Sequence, residues 1–118
     1  LLARGEARAN ALAAQPAVQA EMLDVIGRAR STLGAYADAR PSLQRAVALR
    51  RRVLGDSHLA VAATLVELAN VEERTGRYAD AERALREALA IQRATLGDTA
   101  TATLESLFQL GYVLHAAG

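Results

Sequence analysis

The chain has 118 residues, 52% hydrophobic and 3% aromatic, so a single domain must build its core from Ala, Leu and Val rather than from rings. Fourteen arginines, with no lysine, face thirteen acidic residues, and the formal charge of +1 argues against a surface dedicated to nucleic acid. Cysteine is absent, which excludes disulfides and thiolate metal sites and points to a reducing, cytoplasmic location.

Unbranched and small apolar residues favour helix, and two prolines in long Ala, Leu, Arg and Glu stretches push the same way, so the expected class is all-α. Residues 1–14 read as a trailing helix whose early charges do not suit a signal peptide, and the lack of an initiator Met suggests a piece of a longer protein. Pro16 fits the first turn of the next helix, which carries Leu23 and Ile26 and ends at Gly34, a residue free to adopt the left-handed conformation. A second helix begins near Tyr36, holds Pro41 just inside its start and ends at Leu54-Gly55. Arg50, Arg51 and Arg52 point in three directions near that end, as a solvated helix terminus would, not as a phosphate track.

His58 reads as a helix-start or loop-packing residue. The apolar run from Leu59 is interrupted by Thr64 and Glu67 and falls short of the ~20 residues of a membrane span. Leu65, Leu68, Ala69 and Glu72 form one helical face, and Gly76 ends that helix. A further helix from Tyr78 carries Ala81, Leu85, Ala88, Leu89 and Gln92 and ends at Leu96-Gly97. Asp98 or Thr99 is the expected cap of a last helix near 100–117. Glu82 with Arg86, Arg83 with Glu87 and Glu73 with Arg77 are spaced as i, i+4 pairs.

A 42-residue period underlies these elements. It relates Gly34, Gly76 and Gly118; Tyr36 and Tyr78; Leu43 and Leu85; Ala46 and Ala88; Leu23, Leu65 and Leu107; and Ile26, Leu68 and Leu110. Leu1 and Leu12 extend it backward to Leu43 and Leu54. The expected division is 1–14, then repeats at 17–56 and 57–98, then the first helix of another at 99–118. Gly27, Ala69 and Gly111 form a small-residue series, as do Ala39 and Ala81, at points where helices must approach closely.

The motif Gly-x-Tyr-x-Asp-Ala at 34–39 and 76–81, the alanines Ala46 and Ala88, and the pairs Ile26-Gly27, Leu68-Ala69 and Leu110-Gly111 resemble the tetratricopeptide repeat. The 42-residue period and the Leu-Gly-Asp-x-His loop at 54–58 resemble its kinesin-light-chain variety, and the opening segment resembles the helical region of bacterial serine/threonine kinases. The resemblance implies a right-handed α-solenoid of antiparallel helix pairs, whose first helices line a concave groove that binds a peptide or partner protein. On this sequence the groove positions are Asp24, Arg28 and Ser31; Val66, Asn70 and Glu73; and Phe108, Tyr112 and His115. The paired asparagines of the kinesin-light-chain type are replaced by Val66-Glu67, Asp24-Val25 and Phe108-Gln109, and the loop proline by Leu59, which puts that binding mode in doubt.

Neither histidine, His58 or His115, has a Cys or carboxylate arrangement recurring around it, and no phosphate loop, dinucleotide fingerprint or nucleophile elbow occurs. The expected function is therefore a non-catalytic protein-interaction scaffold in a larger bacterial signalling protein, with no cofactor, metal, nucleic acid or membrane. The competing expectation is a structural spacer or oligomerisation segment, self-associating through exposed end helices.

Overall fold

The computed structural model describes residues 2–11 and 15–118, and among them the regular structure is six α-helices: α1 (Leu2–Ala11), α2 (Pro16–Thr32), α3 (Tyr36–Leu54), α4 (Leu59–Arg74), α5 (Tyr78–Leu96) and α6 (Thr101–Ala116). Leu1 and Leu12, two members of the 42-residue register, lie outside the described residues. Each helix packs chiefly on its neighbours in the chain, and α2 also touches α4. Such serial packing builds a stack rather than a closed ball, here 39 × 29 × 20 Å along its principal axes.

The helix ends show how the period becomes structure. Gly34 and Gly76 adopt φ of 79° and 76°. Beyond them, the N–H of Ala35 donates to the carbonyl of Arg30 at 2.8 Å and that of Arg77 to Glu72 at 2.7 Å. The two turns are the same Schellman closure one period apart, and glycine serves because only it reaches the left-handed region without a Cβ penalty. Pro16 stands in the first turn of α2, and α3 runs unbroken through Pro41 to Leu54.

His58 is the N-cap of α4, its Nδ1 accepting from the N–H of Ala60 at 3.0 Å. The expected cap of α6 is corrected by the structure. Ala100, one period after His58, occupies the cap position and has no side chain to accept a bond. Asp98 and Thr99 fall in the preceding turn, and Thr103 ties the junction instead, its hydroxyl donating to the carbonyl of Gly97 at 2.9 Å.

The core repeats with the same step. Leu43 and Leu85 are fully buried, as are Ala39, Ala46, Ala81 and Ala88. Gly27 lets α2 and α3 meet: a Cβ there would lie 2.6 Å from both Cγ and Cδ2 of Leu43. Of the three expected i, i+4 pairs, Glu82–Arg86 forms at 2.9 Å. The others are corrected, because partners on other turns and helices are better placed. Arg83 turns to Asp80, Glu87 reaches back to Arg51 on α3, and Glu73 lies beside Arg74.

Candidate functional site

Stacking by one period puts α2, α4 and α6 side by side, and the side chains along them form a trough. One part is a recess of about 370 Å³ lined by Arg28, Ser31, Thr32, Leu43, Val66, Glu67, Asn70 and Gln109. The adjoining part, about 490 Å³, is lined by Asn70, Glu73, Arg74, Tyr78, Gln109 and Tyr112. Asn70 and Gln109 border both, so the two recesses adjoin.

Six of the nine sequence-predicted positions therefore come together: Arg28, Ser31, Val66, Asn70, Glu73 and Tyr112. Phe108 and His115 line neither recess; both project from α6 into solvent, Phe108 with 81% of its surface exposed. Asp24 is turned inward and only 5% exposed. The expected groove positions left out Glu67 and Gln109, although both stand at the paired-asparagine sites, one period apart and immediately after Val66 and Phe108. Their shared lattice position was the available signal.

Asp24 belongs to a charged latch beneath the trough. Arg50, from α3, places Nη1 3.0 Å from its Oδ2, and the Thr64 hydroxyl donates to the same oxygen at 3.3 Å. Arg50 also donates to Thr64 Oγ1 at 3.0 Å, and Arg28 lies 3.5 Å from Asp24 and 3.4 Å from Glu67. Arg50 is thus not the solvated helix-end residue that its position in the arginine run suggested. A partly dehydrated carboxylate facing it from α2, the partner helix of the same repeat, draws it inward, since a buried charge needs a partner.

The same latch raises the pKa of Glu67 to about 9. Burial is the main cause, followed by the hydrogen bond and negative charge of Asp24, with Arg28 and Arg50 opposing. Burial thus holds the Glu67 carboxyl toward its protonated form. A proton on Oε2, donated toward Asp24, also satisfies an oxygen otherwise buried without a partner. A second ionic cluster lies in the stack, where Arg40 of α3 bridges Glu72 of α4 at 3.3 Å and Asp80 of α5 at 3.5 Å. Burial raises the pKa of Glu72, and Arg40 offsets part of that rise.

The trough thus offers amide donors and acceptors at its centre, a guanidinium at one end and a tyrosine ring with a carboxylate at the other. Among the described residues no three His, Asp or Glu side chains converge as a metal site, and no helix is long and apolar enough to cross a membrane. No curated protein matches the chain. A family model for the tetratricopeptide repeat matches residues 18–94 and again 60–118, the spans that hold the stacked pairs and the trough. With that match covering most of its length, and with its helices packed in series, the chain belongs to the tetratricopeptide repeat family.

Proposed function

We propose that the chain is a protein-interaction scaffold that holds an extended peptide, or an extended segment of a partner protein, in the trough along α2, α4 and α6. The observation that carries this reading is the adjacency of the two recesses, which share Asn70 and Gln109. An extended backbone carries an unpaired donor and acceptor at each residue, and side-chain amides answer both. Arg28, with 57% of its side chain exposed, still presents a fork to a carboxylate. Because the helices hold these groups in place before binding, little ordering cost opposes association. The reading includes a cytoplasmic, non-catalytic role as the docking arm of a larger bacterial signalling protein. The 42-residue period and the His58 cap support assigning the repeats to the kinesin-light-chain-like type.

The test is selection of peptides from a displayed library on the full chain, followed by titration against Asn70→Ala/Gln109→Ala and against the convex-face control Arg52→Ala. Selected peptides should lose at least about tenfold in affinity with the double variant, roughly 1.4 kcal/mol, and none with the control. Equal binding to all three proteins would refute the trough as the site. The spacer reading draws on a different observation, the exposed leucines of α6. It requires mass to grow with concentration in light scattering while no peptide is selected.

A further inference from the structure

Two oxygens in the latch beneath the trough stand without a donor. Asp24 Oδ1 and Glu67 Oε2 are both buried and have no hydrogen-bond partner among the described residues. The Asp24 side chain is only 7% exposed, and the two carboxyls lie within hydrogen-bonding reach of each other. Ionised carboxylates offer acceptors only, so neither group can satisfy the other unless a proton stands between them.

We propose that Asp24 and Glu67 share one proton across the α2–α4 contact, and that an acidic ligand group docking on Arg28 depends on that proton, so that the charged end of the trough takes up ligand and proton together. The proposal rests on the reading of the trough as a peptide site and adds to it a regulation by pH.

The charges around Glu67 set the direction of the coupling. Facing it are Asp24 and Arg28 from α2, Arg50 from α3 and the neutral Gln109 from α6, with the Thr64 hydroxyl on its own helix. With the shared proton in place, two guanidiniums face one negative charge, and the cluster has room for one anion. Without it the charges cancel. Arg50 is committed inward, 3.0 Å from Asp24 Oδ2 and 17% exposed. Arg28 is divided between the two carboxyls, its Nε 3.5 Å from Asp24 and 3.4 Å from Glu67, and more than half of its side chain is exposed. A ligand carboxylate reaching Arg28 acts on Glu67 twice: it draws the guanidinium away and brings a second negative charge near. Both effects favour the protonated carboxyl. By linkage, the proton favours the ligand by the same factor. Burial already raises the pKa of Glu67 to about 9 in the free chain, so affinity should be level near neutral pH and fall as pH rises through that value. One period on, Val66, Asn70, Gln92 and Gln109 stand where Asp24, Arg28, Arg50 and Glu67 stood, and that part of the trough has no such coupling.

The probe is a set of capped peptides selected on the full chain from a library built only of Asp, Ser, Asn, Gln, Leu and Gly, in which no group titrates above neutral pH. Calorimetry at pH 9 in two buffers of different ionisation enthalpy counts the protons taken up on binding. A fraction of one proton should be taken up, and affinity should fall at least about threefold between pH 7 and pH 10. In Glu67→Gln the uptake should vanish and the ratio of affinities at the two pH values should be about one. Arg28→Gln should lose the same pH dependence together with at least about tenfold of affinity at pH 7. Thermal melts at each pH establish that the variants fold. Selection of peptides without Asp, binding without proton uptake, or a pH dependence equal in the parent and in Glu67→Gln would overturn the proposal. The trough itself still stands in those cases if Asn70→Ala/Gln109→Ala weakens the peptides. Peptides indifferent to that double variant would refute the trough and the proton coupling together.

Discussion

Gly27→Ala and Gly111→Ala add the same methyl group at equivalent positions of two repeats, and the structure requires opposite outcomes. Both changes gain about 1 kcal/mol of intrinsic helix preference. At Gly27 the new Cβ would sit 2.6 Å from Cγ and Cδ2 of Leu43, whose side chain is fully buried and has nowhere to retreat. Overpacking of that kind costs about 1–3 kcal/mol, so the variant should lose roughly 1 kcal/mol net. At Gly111 no atom lies within 4 Å, and the helix gain should survive almost whole as roughly 0.5–1 kcal/mol of added stability. The assay is urea unfolding followed by circular dichroism, read as a change in midpoint at constant slope. The two midpoints should fall on opposite sides of the parent value, separated by roughly 1.5–2 kcal/mol. If Gly27→Ala stabilises the chain as much as Gly111→Ala does, the close approach of α2 and α3 at Leu43 is wrong.

Two further predictions concern protons and caps. Glu67 has an ordinary value of 4.5 and is raised to about 9 in the fold, so its contribution is fully present below about pH 4.5 and is lost as pH rises through 9. Stability should fall across that window by at most about 1.4 kcal/mol per pH unit, and by about half of that once water at a carboxyl 26% exposed is counted. Glu67→Gln should flatten the pH profile and stabilise the chain at pH 8; Glu72, also raised, leaves a residual slope. Parallel profiles for the two proteins, from urea midpoints across pH 5–9, would refute a shared proton at the latch. At the caps, His58→Ala should cost about 1 kcal/mol, while Ala100→Asp, one period later, should gain about 0.5–1 kcal/mol from a new acceptor and the helix dipole. Thermal melting of both variants checks the pair, and equal shifts of the same sign would contradict the cap assignment.

The period was legible because its carriers are residues that admit few substitutes. A left-handed turn needs glycine, so Gly34 and Gly76 announced two helix ends, and close helix crossings need Ala39, Ala46, Ala81 and Ala88. The trough was legible to the same degree, since once the helices are in register, facing positions such as Arg28, Asn70 and Tyr112 must fall on one side. What the sequence left hidden are partners chosen across the stack. Arg50 follows a helical run like any solvated cation, and only the neighbouring helices bring Asp24 and Thr64 to it. Glu87 sits at the right spacing from Arg83 yet pairs with Arg51. The cap of α6 failed for a local reason: the lattice passes the role of His58 to Ala100, and the polar residues just upstream fall outside the position that needs them.

The latch also separates two junctions that the backbone treats alike. Moving one period from the α2–α4 contact to the α4–α6 contact replaces Asp24 by Val66, Arg28 by Asn70, Arg50 by Gln92, Thr64 by Ser106 and Glu67 by Gln109. Asp24, Arg28 and Arg50 all give way to uncharged residues while the helices keep the same stacking order. An ionic junction loses strength with salt and titrates with pH, whereas a neutral one does neither. The trough crosses both, with Arg28 at its charged end and Asn70 and Gln109 in the middle. A ligand group placed beside Arg28 therefore meets a surface whose charge depends on solution conditions, while one placed between Asn70 and Gln109 meets a surface that does not change. Identical bricks would have made every position along the trough equivalent; it is the breakdown of chemical repetition on an unbroken geometric repeat that gives this surface a direction.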